Sequence, residues 1–452
     1  MVLLFLVAAP YGTVEPWWQS LFNSTVFALS ALSAIEIYLS GRVFDTRITL
    51  LLPVLALILF SFIQSLGISA QYALGDHSVT TIRAISADPF ETSRFTLRLL
   101  ALVLTAAMLF RYTDNRKRFR LLVQAVITIG LVSAAFGLAR QVLQHGPGFV
   151  LPYLDGPGTF AQFVSKNYFA YLIEMSLGLL SGLIVGGAIS VRRLAPYLSA
   201  AVVMWSALVM ADSRGALFAL CVQIVLLSVL LGQVLPERIH SGSRVRLGLL
   251  KIAKARLVRF GLVLVLFTVT IISISWIGGQ PLISDLEKAP ADFSSEGSQN
   301  SWNVSRLDIW KASWKLFTAH PFVGSGFGAY WIAVTPYHDA SGDYTPQQAH
   351  NDYLELLASG GLIGFILLAW FAFSLIRFAR AELCSTEPFR RCACYGALVG
   401  LAGVAIHSFF DFGLHATINN LTFTLLIVIA TVNSQKLGFK GSLSRRSSSI
   451  AR

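Results

Sequence analysis

Residues 347–365 read QQAHNDYLELLASGGLIGF, and they set His350, Asp352 and Glu355 directly before the apolar run at 357–376. An apolar run of that length is enough to cross a bilayer as a helix. A dense polar cluster at the mouth of such a span is costly unless it serves something located at that boundary.

Working outward, the same apolar pattern repeats along the chain. With 55% hydrophobic residues, 13% charged residues and a mean hydropathy of +0.66 over 452 residues, a water-soluble globule would lack polar surface. Further runs lie near 20–39, 48–69, 95–110, 120–139, 167–190, 194–211, 215–234, 259–278, 393–411 and 417–433. Met1 to Pro10 is too short to span alone and reads as a partial or re-entrant helix, or as the end of a longer one. The expectation is an all-α, polytopic transmembrane helical bundle of about 12 spans, 11 clear plus a short first one. No basic head and small-residue cleavage site precedes the first run.

The formal charge of +12 is spread over short clusters between spans, not gathered on one face, so nucleic acid is not an expected partner. Arg42 and Arg47, the Arg111 to Arg120 cluster, Arg192 and Arg193, the 238–259 cluster, Arg377 to Arg391 and the tail alternate consistently and mark the cytoplasmic side. Both termini then lie inside. Residues 1–278 form N-terminal spans, 279–356 one long extracytoplasmic loop with short amphipathic helices, 357–434 C-terminal spans, and 435–452 a basic cytoplasmic tail that reads as disordered. Cys221, Cys384, Cys392 and Cys394 sit in a span or near the cytoplasmic face, and the lone CxC has no second pair for zinc.

The long loop is where chemistry is expected, because loops of this length between spans are seldom mere connectors. It is acidic on balance, and SRLDIWKASWKLFTAHP predicts a helix capped by Ser305, with Leu307, Trp310, Trp314 and Phe317 as its apolar stripe on the bilayer surface. Gly324, Gly326 and Gly328 in PFVGSGFGAYW predict a tight turn that holds this helix near the next segment. Without a preceding strand the glycines are a weak nucleotide signal.

Three residues stand at the extracytoplasmic boundary: His350, Arg214 in ADSRGAL at the start of the 215–234 span, and Arg306 at the start of the loop helix. Arginine forks beside the positive ends of helix dipoles suit phosphate oxygens, which points to a diphosphate headgroup. Each arginine also has a plainer reading as a snorkelling residue or a partner for Asp212 or Asp308. Asp352 and Glu355 either tune His350 or, for Asp352, cap the helix, and capping is the expectation. His407, Asp411 and His415 recur at four-residue spacing on one helix face, as a floor network or, less plausibly, a metal site, and Asp411 could orient a base. Glu174 is an intramembrane acid that either meets substrate or pairs with a polar neighbour. Arg83, Arg94, Arg98, Arg140, Lys166 and Asn167 also face the outer side.

The succession ADSRGAL, SRLDIW, GSGFGAYW, AHNDYLELLASGGLIGF and HSFFDFGLH resembles the O-antigen ligase and polymerase superfamily, the WaaL and Wzy type of integral membrane glycosyltransferase, from about Gly158 to Asn420. That resemblance implies transfer of a glycan from undecaprenyl diphosphate to an acceptor hydroxyl, inverting and without a metal or other cofactor. It implies His350 as base and Arg214 and Arg306 as diphosphate ligands. It also implies a bacterial inner-membrane location with the site facing the periplasm, and lipid A core or another glycan as acceptor. Ligase, polymerase and protein oligosaccharyltransferase share that donor chemistry, and the spacing of the three residues favours ligase over polymerase. The acidity of the loop speaks against a heavily phosphorylated acceptor. A transporter of lipid-linked glycan is the rival from another class, although its charged groups would be expected nearer the bilayer midplane. A non-catalytic envelope scaffold would leave the two arginines and the histidine unused.

Overall fold

The computed structural model describes residues 2–9, 11–40, 48–74, 77–143, 158–234, 306–338 and 346–432. The predicted span at 259–278, the 238–259 basic cluster, Arg42, Arg47, Ser305 and the tail lie outside the described residues. The helices are α1 (Val2–Ala8), α2 (Pro16–Ser40), α3 (Ile48–Ser65), α4 (Pro89–Tyr112), α5 (Arg116–Leu143), α6 (Lys166–Val185), α7 (Val191–Met210) and α8 (Arg214–Val234). They continue with α9 (Arg306–Ala319), α10 (Tyr330–Ala333), α11 (Asp352–Leu383), α12 (Pro388–His407) and α13 (Thr417–Thr431). Among the described residues, seven helices are long and apolar enough to cross a membrane, and α3, α8 and α13 supply three shorter apolar candidates. The architecture is the expected polytopic helical bundle. Among the described residues, one antiparallel hairpin, β1 (Ile68–Leu74) with β2 (His77–Arg83), interrupts the helices; the expectation from sequence was all-α.

Helix α6 is the axis of the bundle, and nearly all of its side chains are buried. It meets α12 through glycines. A Cβ on Gly178 would lie 2.6 Å from the Gly400 amide nitrogen, and one on Gly182 would lie 2.3 Å from the Gly396 Cα. Backbones that approach this closely pack without side-chain entropy cost, the usual device for helix association in lipid. At the end that carries the arginine-rich connections, the fully buried Arg390 donates to the carbonyls of Ile429 and Val432 at 2.6 Å each and so closes the C-terminus of α13.

At the other end α11 is broken. Gly361 has φ 59° and ψ −162°, outside the helical region. The turn before α10 fills the gap: Ser325 and Gly326 donate to the carbonyls of Ala358 and Ser359 at 3.0 and 2.9 Å, while Leu362 and Ile363 donate to Pro321 and Phe322 at 2.9 and 3.2 Å. Gln64 of α3 is buried against the same junction, its amide donating to Val323 at 2.6 Å and Ser359 at 3.1 Å. Gly324 takes φ 68° with Ser359 pressed against it, and a Cβ there would lie 2.3 Å from the Ser359 carbonyl. The first turns of α11 are therefore set by the loop rather than by the membrane span that follows.

The face that α9 packs on the protein lies beside the predicted aromatic stripe. Ile309, Ala312, Ser313 and Leu316 point inward, and Trp314 is 54% exposed. Ala312 and Leu316 pack with Tyr330, Val334, Ala349 and Ala358, and Trp310 beside them donates to the Ala349 carbonyl.

The glycine contact gives a direct test. Gly182→Val should lower the thermal unfolding midpoint in detergent by an amount equivalent to about 1–3 kcal/mol, the usual cost of overpacking. An unchanged midpoint would show that α6 and α12 can separate freely.

Candidate functional site

Chain direction alternates through the bundle, so the C-terminus of α12 and the N-termini of α6, α8, α11 and α13 share one end. Each delivers a polar group there. Helix α6 presents Asn167, Tyr171 and Glu174 at helical spacing along one face. Helix α12 ends at His407, and the chain continues as a turn through Ser408 to Asp411 and then a short 3-10 helix, Gly413–His415.

Asp411 is the meeting point. It is 3% exposed, and its carboxylate accepts the Phe412 amide at 2.9 Å and the side-chain amide of Asn167. His350 Nδ1 lies 3.7 Å from Asp411 Oδ1, and Arg306 Nη2 lies 4.0 Å from Asp411 Oδ2. His350 and Arg306 thus converge on one anion. Burial pushes the Asp411 carboxyl up, but the His350 and His407 rings and the Phe412 amide outweigh it and leave it below the usual aspartate value.

His350 is aimed by its own backbone. Its φ of 49° lies in the left-handed region, unusual for a side chain of this kind. The neighbours hold it there: Trp310 Nε1 donates to the Ala349 carbonyl at 3.0 Å, and the Ala349 amide donates to Glu355 at 2.9 Å. Asn351 caps α11 through the amides of Tyr353 and Leu354, both at 3.1 Å. The ring packs edge-on to Phe412 with centroids 4.8 Å apart. Its Nδ1 is buried without a hydrogen bond.

Several assignments from sequence change. Asn351, not Asp352, is the cap of α11; Asp352 instead accepts from the Ser408 hydroxyl at 2.7 Å and its amide donates to the Ser408 carbonyl at 2.9 Å. His407, Asp411 and His415 do not share a helix face, because α12 stops at His407. Each has its own partner: His407 Nδ1 is 2.8 Å from Glu174, Asp411 faces His350, and His415 Nε2 is 3.6 Å from Glu355. Among the described residues no group of three or more His, Cys, Asp or Glu side chains is arranged to hold a metal ion. Burial and the Arg98 charge hold the His415 imidazole down at about 4, with Asp411 partly opposing. Glu174 pairs with a neighbour, the second of the two readings offered for it.

Arg214 opens α8 and follows Ser213, whose hydroxyl is 3.5 Å from His407 Nε2. Lys166 pairs with Asp212 at 3.3 Å, and Arg94 with Glu91 at 2.6 Å. Arg98 donates to the Gln19 side chain. Arg140 is turned inward, donating to the Ala161 carbonyl at 2.8 Å and the Thr159 hydroxyl at 2.9 Å, so it braces a turn. The side chain of Arg83 lies outside the described residues.

Tyr171, Ser408 and Phe412 are contacts that sequence reasoning passed over, and Trp310, read as part of an apolar stripe, instead donates a hydrogen bond beside His350. The signal for Tyr171 was present, since Asn167, Tyr171 and Glu174 form a polar stripe on an otherwise apolar helix.

The lowered Asp411 value fixes the sign of a pH dependence. The ionised carboxylate stabilises the fold at any pH above the ordinary aspartate value, and this contribution is lost only as pH falls through the lower folded value. Asp411→Asn should therefore unfold at a lower temperature than wild type at pH 7. The gap should narrow on acidification below about pH 4. A gap that is constant with pH would show that the charge is not what Asp411 contributes.

No curated protein matches the chain. The family model described as O-antigen ligase (Wzy_C) matches residues 199–369, less than half of the chain, and this stretch includes Arg214, Arg306, His350, Asp352 and Glu355. Residues 199–369 are thus similar to O-antigen ligases, and the match supports a place for the chain in the O-antigen ligase and polymerase superfamily.

Proposed function

We propose that the protein transfers a glycan from polyprenyl diphosphate, undecaprenyl diphosphate in a bacterial inner membrane, to an acceptor hydroxyl at the periplasmic face. The observation that carries this reading is the convergence of His350 and Arg306 on the buried Asp411 carboxylate, at the helix ends opposite the arginine-rich connections. With Nδ1 turned toward Asp411, the His350 ring offers Nε2 as its basic nitrogen. The acceptor O–H gives its proton to that nitrogen as its oxygen bonds to the anomeric carbon from the face opposite the leaving group, which inverts the configuration. The bond from that carbon to the phosphate oxygen breaks, and polyprenyl diphosphate departs. Asp411 stabilises the imidazolium that forms, and Arg214 and Arg306 take up the charge developing on the diphosphate. The lipid already activates the sugar, so no sugar nucleotide, metal or other cofactor is assigned.

Lipid A core is the acceptor we favour, which makes the protein a ligase. A growing lipid-linked glycan would make it a polymerase acting through the same donor site. The acidity of the 279–356 segment favours that second reading over a heavily phosphorylated core.

Purified proteoliposomes supplied with an undecaprenyl diphosphate glycan and EDTA test the proposal. Wild type should transfer, and His350→Ala should lose roughly a hundredfold or more of the rate, as expected for removal of a general base. Arg306→Ala and Arg214→Ala should weaken use of the donor. Normal transfer by all three variants, or lipid-linked glycan that changes leaflet uncleaved, would refute it.

A further inference from the structure

The His407 and Glu174 pair lies one layer below the mouth and is given no step in the transfer proposed above. His407 is 1% exposed and Glu174 0%, with Nδ1 and Oε1 2.8 Å apart. Tyr171 stacks on the imidazole at a centroid distance of 4.2 Å. Helices α6 and α12, which carry the pair, are locked to each other by the glycine contacts, so the ring has little freedom to move.

The other edge of the ring meets the start of α8. Ser213 is buried, with its hydroxyl 3.5 Å from His407 Nε2. Gly215 lies flat on the imidazole: a Cβ there would fall 2.3 Å from His407 Cδ2 and 2.5 Å from Nε2. Asp212, just before, takes a left-handed φ of 50° and is held by Lys166 at 3.3 Å. Arg214 stands between the two residues that touch the ring.

From this geometry we infer that His407, anchored by Glu174, is a positioning residue that seats the first turn of α8 and so fixes where Arg214 presents its guanidinium to the donor diphosphate. The inference rests on the donor role proposed above for Arg214. An arginine fork binds a phosphate well only when its plane is fixed, so a seat that removes the slack raises affinity without touching the ligand. Glu174 serves by fixing the tautomer: with Nδ1–H toward the carboxylate, Nε2 accepts from the Ser213 hydroxyl. The glycine at 215 is required because any side chain there would enter the ring.

The test is a titration with undecaprenyl diphosphate glycan in proteoliposomes, with binding of undecaprenyl diphosphate itself measured on the same full-length proteins. His407→Ala should raise the donor KM on the order of tenfold while leaving the acceptor KM unchanged. Ser213→Ala should do the same more mildly. His407→Ala added to Arg214→Ala should have no further effect on the donor KM. Glu174→Gln, which keeps a hydrogen-bond acceptor for Nδ1, should retain most of the donor affinity that Glu174→Ala loses. If His407→Ala proves too unstable to assay, Ser213→Ala and Glu174→Gln against Glu174→Ala carry the decision. An unchanged donor KM in folded His407→Ala, or a full additional loss in the double variant, would overturn the inference. A wild type that binds the lipid but does not transfer refutes the transferase reading and leaves the seat to be judged on binding alone. A wild type that does neither refutes both.

Discussion

A carboxylate excluded from water must be satisfied by its neighbours, and at Asp411 that requirement organises the whole mouth of the bundle. The amide of the next residue, Phe412, joins an asparagine of α6, the His350 ring and the Arg306 guanidinium from three distant parts of the chain to surround it. Removing water makes each of these interactions stronger than it would be at a surface, and makes the absence of any one of them more costly. In the transfer proposed above, the same anion that holds the mouth together would stabilise positive charge on the His350 imidazole.

Two rigid frames hold that arrangement in place. One is the glycine-mediated contact of α6 with α12, which fixes Asn167, Tyr171 and Glu174 relative to His407 and the turn to Asp411. The other is the break in α11 at Gly361, where the 320–328 turn takes over the hydrogen bonds that the helix drops. The break lets the first turns of α11 point His350 at Asp411 while the rest of the helix follows the bundle. Sites built on helix ends that are braced in this way keep their geometry better than sites on free loops.

Much of this was legible in the sequence. Apolar periods and charge clusters located the helices, and the rarity of polar groups beside spans singled out His350, Arg214 and Arg306. What was not legible depended on contacts between distant residues. Asp411 follows His350 by sixty-one positions, and nothing local announces that they meet. The four-residue rhythm of His407, Asp411 and His415 suggested one helix face, but α12 ends at the first of them, and the turn sends His407 to Glu174, Asp411 to His350 and His415 to Glu355. Asp352 sits where a cap is expected, yet Asn351 caps and frees it for Ser408. On α9 the tryptophan stripe marked the face expected on the bilayer, while the face that packs on the loop, with Ala312 and Leu316, carried no such signal. The hairpin at 68–83 did carry a signal, two runs separated by exactly Gly75 and Asp76, which was passed over.

The most direct measurement is an electron cryomicroscopy structure of the protein in lipid nanodiscs with a non-transferable undecaprenyl diphosphate glycan analogue. The account predicts diphosphate density in contact with both Arg214 and Arg306, and the anomeric carbon within reach of a hydroxyl oxygen that is hydrogen-bonded to His350. A headgroup held near the bilayer midplane, or at the end that carries Arg390, would contradict it.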